Sequence, residues 1–179
     1  MKFSKALIKS FFNKEEASVR VIYNETYRLL FHIAFSYLRQ KEDTEDIVSE
    51  TYKRMFEANK SLLDKNNFTS YMATICKNLS IDFLNKRKLI SKEFDEDFAQ
   101  INDVYSSNLL NLVNEILSKD EFNVFIYRAY YELSFKEIAS IVDKNESRCR
   151  GIYFEAKKKL NKKKDLFLWK RYLKNMRMR

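Results

Sequence analysis

Residues 134–160, SFKEIASIVDKNESRCRGIYFEAKKKL, read as two short helices joined by a tight turn, the second ending in lysines. On the second helix Cys149, Ile152, Tyr153, Ala156 and Leu160 recur at helical spacing and make one apolar stripe. Ser147, Gly151, Phe154, Glu155 and Lys158 then point away from that stripe, with Arg148 and Arg150 on its flanks. A short helix that packs a second, basic helix outward is the arrangement that sets side chains into the major groove of DNA. The alternative is a helical hairpin whose polar face is only solvated.

The boundaries around this stretch are marked by capping chemistry. Ser118-Lys119-Asp120-Glu121 and Ser134-Phe135-Lys136-Glu137 both have the form of a capping box, in which the serine and the glutamate satisfy each other's free amides. The first opens a helix carrying Phe122, Phe125, Ile126 and Tyr130, and before it Leu109, Leu112, Val113, Ile116 and Leu117 form a shorter one. After Leu160 the chain stays basic, with Leu166, Phe167, Trp169, Tyr172 and Leu173 interspersed. That tail either extends the last helix, docks on its domain, touches DNA or a partner protein, or lies on a membrane surface.

Composition agrees with helices throughout. One glycine and no proline in 179 residues leave little to break a helix, so an all-α fold is expected. The net charge is +9, with basic clusters at Lys86, Arg87 and Lys88 and from Lys157 onward. Clustered cations suit a phosphate backbone, whose binding would be salt-dependent, whereas singly each run suits a solvated face. The segment Glu42 to Glu50 is acidic instead and suggests a second, different partner. No apolar run approaches the roughly 20 residues that span a bilayer, and MKFSKALIKSFFNKEE has no small-residue cleavage site. A cytoplasmic protein with no membrane insertion is expected. Cys76 and Cys149 each lie on an apolar stripe and read as two buried thiols rather than a disulfide. Neither has a second ligand at metal spacing, and His32, between Phe31 and Ile33, reads as a satisfied helix residue. With no phosphate loop, no dinucleotide fingerprint and no nucleophile beside a base, the chain does not read as an enzyme, and no cofactor or metal is expected.

In the N-terminal half, Asn13-Lys14-Glu15-Glu16 has the form of a cap followed by acids, and apolar residues from Val19 to Tyr37 then recur at helical spacing. Asp43-Thr44-Glu45-Asp46 is expected to cap a second helix that buries Ile47, Val48, Thr51, Tyr52, Met55 and Phe56. Its other face carries Glu42, Glu45, Ser49, Glu50 and Lys53. Residues 59–67 read as a loop. A third helix buries Phe68, Met72, Ile75, Cys76, Leu79 and Phe83 and is expected to expose Lys77, Asn78, Asp82 and Asn85 before its basic end. From 89 to 107 the period dissolves among acids. The expected organisation is therefore two small helical domains, 1–88 and 108–179, joined by an acidic linker at 89–107, the second domain holding the helix-turn-helix.

That order, with three segments in it, resembles bacterial sigma factors of the sigma-70 family, and within it the extracytoplasmic-function (ECF) group, which keeps only conserved regions two and four. TEDIVSETYKRMFE (44–57) is similar to region 2.2, FTSYMATICKNLSIDFLNKRK (68–88) to regions 2.3 and 2.4, and LSFKEIASIVDKNESRCRGIYFEAKKKL (133–160) to region 4.2. The likeness covers roughly 18–88 and 108–162. It implies that Glu45, Asp46, Ser49 and Glu50 bind the clamp of core RNA polymerase, Ser49 standing where the family commonly has Gln and Asp46 also serving as a cap. It implies a −10 promoter site at Tyr71, Lys77, Asn78, Lys86, Arg87 and Lys88, helped by the loop 59–67. Tyr71, where many relatives have Trp, either stacks on a base or packs in the core. It implies a −35 site at Glu146, Ser147, Arg148, Arg150 and Gly151, with the two arginines as leading readers of guanine. Asp143 stands where the family has a turn glycine, and Lys144 where it has an apolar plug, so the lysine stem is expected to snorkel.

The resemblance implies a transcription initiation factor, a monomer when free, with core polymerase and promoter DNA as partners and, as in many relatives, an anti-sigma protein. The alternatives are a helix-turn-helix repressor or activator that acts without polymerase, and a relative that only sequesters a partner.

Overall fold

The computed structural model describes residues 3–58, 68–90, 113 and 115–162, the side chains of 88–90 excepted. The described residues are helical with short turns, and the fold is all-α. The chain divides into two compact units, Met1–Ala99 and Gln100–Arg179. The loop 59–67, residues 108–112, the C-terminal tail and, apart from its first two residues, the segment read as a linker all lie outside the described residues.

The first unit begins with a helix the sequence reading did not anticipate, α1 (Lys5–Phe12). Ser4 caps it by accepting the Leu7 amide at 3.2 Å. Asn13, expected to start the next helix, instead ends this one, its N–H bonding the Lys9 carbonyl. Lys14 then turns the chain at φ 61°. The helix is held by rings: Phe11 stacks on Phe56 at 4.7 Å and meets Phe68 edge-on at 5.6 Å, while Phe3 and Phe12 also put edges to Phe68. Edge-to-face and offset pairs of this kind add about 0.5–1.5 kcal/mol each beyond their buried area.

Helix α2 (Glu16–Leu38) is the centre of the unit and packs on α1, α3 (Lys41–Glu57) and α4 (Phe68–Ile90). Its core side runs through Ile22, Leu29, Leu30, Ile33 and Ala34, all fully buried. Two polar bonds fix its register. The Thr26 and Tyr52 hydroxyls lie 2.8 Å apart, and the Cys76 thiol donates to the Leu30 carbonyl at 3.3 Å. Helix α3 starts at Lys41, earlier than the expected cap at Asp43–Asp46, with Gln40 at its N-cap; Thr44 is buried and donates to the Gln40 carbonyl. Asp43 instead reaches across to Arg87 of α4 at 2.8 Å.

Among its described residues the second unit holds the helices α5 (Lys119–Ala129), α6 (Phe135–Val142) and α7 (Glu146–Lys162). Both capping boxes are present with both reciprocal bonds. Val113 and Leu117, ahead of α5, join its core beside Phe122, Phe125, Ile126, Ile138, Ile141 and Cys149. Three residues, Asp143, Lys144 and Asn145, join α6 to α7. Asp143 ends α6 in the left-handed region at φ 52° and ψ 44°, the conformation a turn glycine would supply. Lys144 is half-buried, its ammonium 3.0 Å from Asp120, so the stem covers the turn while the charge finds a partner. Asn145 accepts the Arg148 amide at 2.7 Å and starts α7.

Candidate nucleic-acid and polymerase interfaces

On α7 the buried set is Cys149, Ile152, Ala156 and Leu160, a stripe one residue wide. Tyr153 flanks it, stacked on Phe125 at 5.8 Å and edge-on to Phe135 at 5.7 Å. A thin stripe leaves the rest of the helix surface open. Glu146, Ser147, Arg148, Arg150 and Gly151 are all exposed, as are Phe154, Glu155, Lys157 and Lys158. The helix is aimed from both ends, by the Asn145 cap at its start and by Lys159, whose ammonium lies 2.8 Å from the Glu121 carboxylate near its end. Burial pushes the Glu121 carboxyl up, but hydrogen bonds from Lys159 and Ser118 outweigh it and hold the group below its ordinary range.

The two arginines differ. Arg150 pairs with Glu146 at 2.8 Å and lies over the Phe135 ring at 5.3 Å, so reading a base would mean leaving both. These contacts are exposed and each weak, within about 1 kcal/mol. Arg148 is exposed, with its backbone amide in the cap and its guanidinium projecting from the first turn.

On α4 the expected site residues separate. Tyr71 and Asn78 line one cleft of about 270 Å³ together with Ile75, Leu79 and Asp82. Its opposite wall is the C-terminal end of α3, Arg54, Glu57 and Ala58. Tyr71 is 38% exposed and faces this cleft, so it is not a core ring. Lys77, expected on the exposed side, is buried at 7%: it follows Cys76 on the wide inner face that α4 turns to its neighbours. Ile75, Leu79 and Phe83, expected to be buried, are only half-buried. Arg87 is held by Asp43, a partly buried pair that positions the end of α4 against the start of α3. Lys86 is exposed, and the Lys88 side chain lies outside the described residues.

On α3, Glu45, Asp46 and Ser49 are exposed on one face and Glu50 is half-buried beside them. Glu50 is bonded by Arg54 at 3.2 Å and approached by Lys53 at 3.6 Å. The Arg54 bond, foremost, holds its carboxyl below the ordinary range. Arg54 thus touches both the acidic face and the cleft. The sequence reading missed Arg54, Glu57 and Asp82 as cleft residues; the position of the first two on the last turn of α3, one and two turns beyond Glu50, was the available signal.

Residues 22–90, which span α3, α4 and most of α2, match the model of the Sigma-70 region 2 family. The chain is also 27% identical over 132 residues to RNA polymerase sigma factor SigV of Bacillus subtilis (strain 168), covering 72% of this chain and 80% of that protein. Residues 22–90 are thus similar to sigma-70 region 2, and the chain as a whole to an RNA polymerase sigma factor. The matched span contains both the acidic face of α3 and the cleft. Among the described residues no group of His, Cys, Asp or Glu could hold a metal ion, and no helix is long and apolar enough to cross a membrane. Cys76 and Cys149 are free and buried; burial pushes the Cys76 thiol up to about 12. His32 is buried within α2.

Proposed function

We propose that this chain is a sigma factor of the sigma-70 family, ECF type, that binds core RNA polymerase, carries it to a particular promoter class, and captures unstacked −10 bases while α7 reads the −35 element. It performs no catalysis, which the polymerase supplies. The observation that carries the reading is the cleft in which Tyr71 and Asn78 meet. Unstacking a base costs a few kcal/mol, and a site that offers an aromatic face and an amide edge returns that energy. Asn78 can bond a base edge in two places, and Tyr71 can stack. Lys86, exposed near the end of α4, is the candidate for gripping phosphates. Lys77 is buried and Arg87 is paired with Asp43, so either would have to leave its present position to reach a phosphate.

The exposed Glu45, Asp46 and Ser49, with Glu50, form the polymerase-facing surface. Carboxylates there would pair with basic residues on the clamp and set register and association rate. On α7, Arg148 is the leading reader of guanine, worth about 1–3 kcal/mol in a bidentate pair. Arg150 reaches a base only by exchanging Glu146 for it. The free chain is a monomer, and an anti-sigma protein that covers these same surfaces fits the reading. A repressor acting without polymerase would need neither the acidic face of α3 nor the cleft.

The test is run-off transcription with purified core polymerase, the full chain and sheared host DNA, with the 5′ ends mapped. Initiation at defined sites that depends on the chain and is lost in Asn78→Ala is the expected result. Duplex binding without initiation would favour the repressor or the sequestering relative.

A further inference from the structure

The cleft has its walls on two helices, and beside each wall stands a ring that meets a third helix. Phe56 directly precedes Glu57 and Ala58 on the α3 wall, and Phe68 stands one turn before Tyr71 on the α4 wall. Both rings turn to α1. Phe11 stacks on Phe56 with centroids 4.7 Å apart and an interplanar angle of 20°, and meets Phe68 at 5.6 Å and 87°. Phe11 and Phe68 are fully buried, and Phe56 is half-buried. A single ring of α1 therefore touches the last turn of α3 and the first residue of α4 at once. The chain leaving α1 holds the ring in place: the Lys14 N–H bonds the Phe11 carbonyl at 2.9 Å, and the Lys14 ammonium lies over the Phe56 ring at 5.9 Å.

We propose that Phe11 is a positioning residue for the cleft, fixing the gap between its α3 and α4 walls and so the geometry in which Tyr71 and Asn78 receive an unpaired base. The inference rests on the reading of the cleft as the −10 site. A ring stacked on one neighbour and edge-on to another sets both a spacing and an angle, because the ring quadrupole favours those arrangements; an aliphatic side chain of similar burial sets neither. Binding constellations tolerate displacements of only about 0.5 Å. Tyr71 and Ala58 are each within one turn or less of a ring that Phe11 touches, so a shift of either ring carries into the cleft along the helix. If Phe11 only filled the core, its loss would act on the cleft no more than an equal loss of packing elsewhere in the unit.

The experiment uses holoenzyme assembled from core polymerase and the full chain. The probe is a fluorescent single-stranded oligonucleotide with the non-template −10 sequence of a promoter found by 5′-end mapping. Phe11→Leu keeps an apolar side chain but removes the stack; it is expected to weaken strand binding about fivefold while affinity for core polymerase, the sign of a folded unit, is unchanged. Phe56→Leu removes the other ring of the same stack and carries the same test should Phe11→Leu fail to fold; the two together should cost no more than one. In an Asn78→Ala background Phe11→Leu should add little, because both act through one cleft. Ile33→Val, a buried change on α2 that lowers the melting temperature comparably, should leave strand binding unchanged. An equal loss of strand binding in Ile33→Val, or effects of Phe11→Leu and Asn78→Ala that simply add, would overturn the proposal and leave the promoter-directing function intact. Strand binding by the wild type that Asn78→Ala does not weaken would instead overturn the reading of the cleft on which it stands.

Discussion

Helices α4 and α7 both carry residues expected to touch DNA, yet they are built differently. Helix α4 buries Phe68, Met72, Ala73 and Cys76 completely and takes Lys77 and Ser80 into the interior as well. What it leaves outside is a strip that becomes a site only where the end of α3 closes it into a cleft. Helix α7 buries four residues in one line and exposes nearly everything else. A helix that must enter a groove needs a narrow seam and a broad free surface. One that must hold an extruded base needs a neighbour to form the walls.

This contrast can be broken most directly in the core. Phe68→Ala removes the ring on which Phe3, Phe11 and Phe12 converge. It should cost about 3–5 kcal/mol in a urea titration, and a loss below ~1 kcal/mol would mean that α4 is not anchored as described.

The cysteines sharpen the comparison through pH. The Cys76 thiol of α4 is pushed up to about 12 by burial, and the unfolded chain ionises near pH 8.5. A raised native pKa gives stability that is whole below the unfolded pKa and is lost as pH rises toward the native one. Stability should therefore fall above about pH 8.5, with a slope approaching about 1.4 kcal/mol per pH unit from this group. Cys76→Ala should flatten the curve between about pH 8.5 and 10, before the unfolded tyrosines ionise. Burial also raises Cys149 of α7, but the Lys144 ammonium favours its thiolate, so Cys149→Ala should flatten the curve less. Equal effects would contradict that influence of the Lys144 ammonium.

Turn chemistry gives a smaller effect. Asp143→Gly removes a side chain from the left-handed region and should stabilise the second unit by up to about 1 kcal/mol, read from its melting temperature. The smallest effects belong to the outward face of α7: Ser147→Ala and Lys158→Ala should each change stability by no more than about 0.5 kcal/mol. A larger loss would show that this face has structural contacts.

The legibility of the sequence followed the same contrast. On α7 one narrow stripe was enough to tell inside from outside, and the outward set Ser147, Gly151, Phe154, Glu155 and Lys158 is exposed as the spacing implied. The two capping boxes were readable because the interaction is local and reciprocal. On α4 the period could not reveal that the inner face is wide enough to take Lys77, because its width is set by packing against both α2 and α3. Nor could it join Tyr71 to Arg54 and Glu57, which come from another helix.

The first helix was hidden by its turn. The chain's single glycine lies inside α7, and the described turns place Lys14, Arg39, Glu132 and Asp143 at positive φ instead. Without a glycine to mark the break, Asn13 read as the start of α2 when it closes α1. Ser4 followed by Ile8, Phe11 and Phe12 at helical spacing was the signal that could have found that helix.

The central claim is that the cleft of α4 and the outward face of α7 serve one act, initiation by core polymerase at chosen promoters. Run-off transcription of wild type, Asn78→Ala and Arg148→Ala on the mapped promoter tests it most directly. The account predicts specific initiation by the wild type and a loss in both variants: Arg148→Ala should be rescued in part on a −35 sequence selected for it, and Asn78→Ala on a template already unpaired at −10. Undiminished initiation by both variants, or tight duplex binding by the wild type with no transcript, would contradict it.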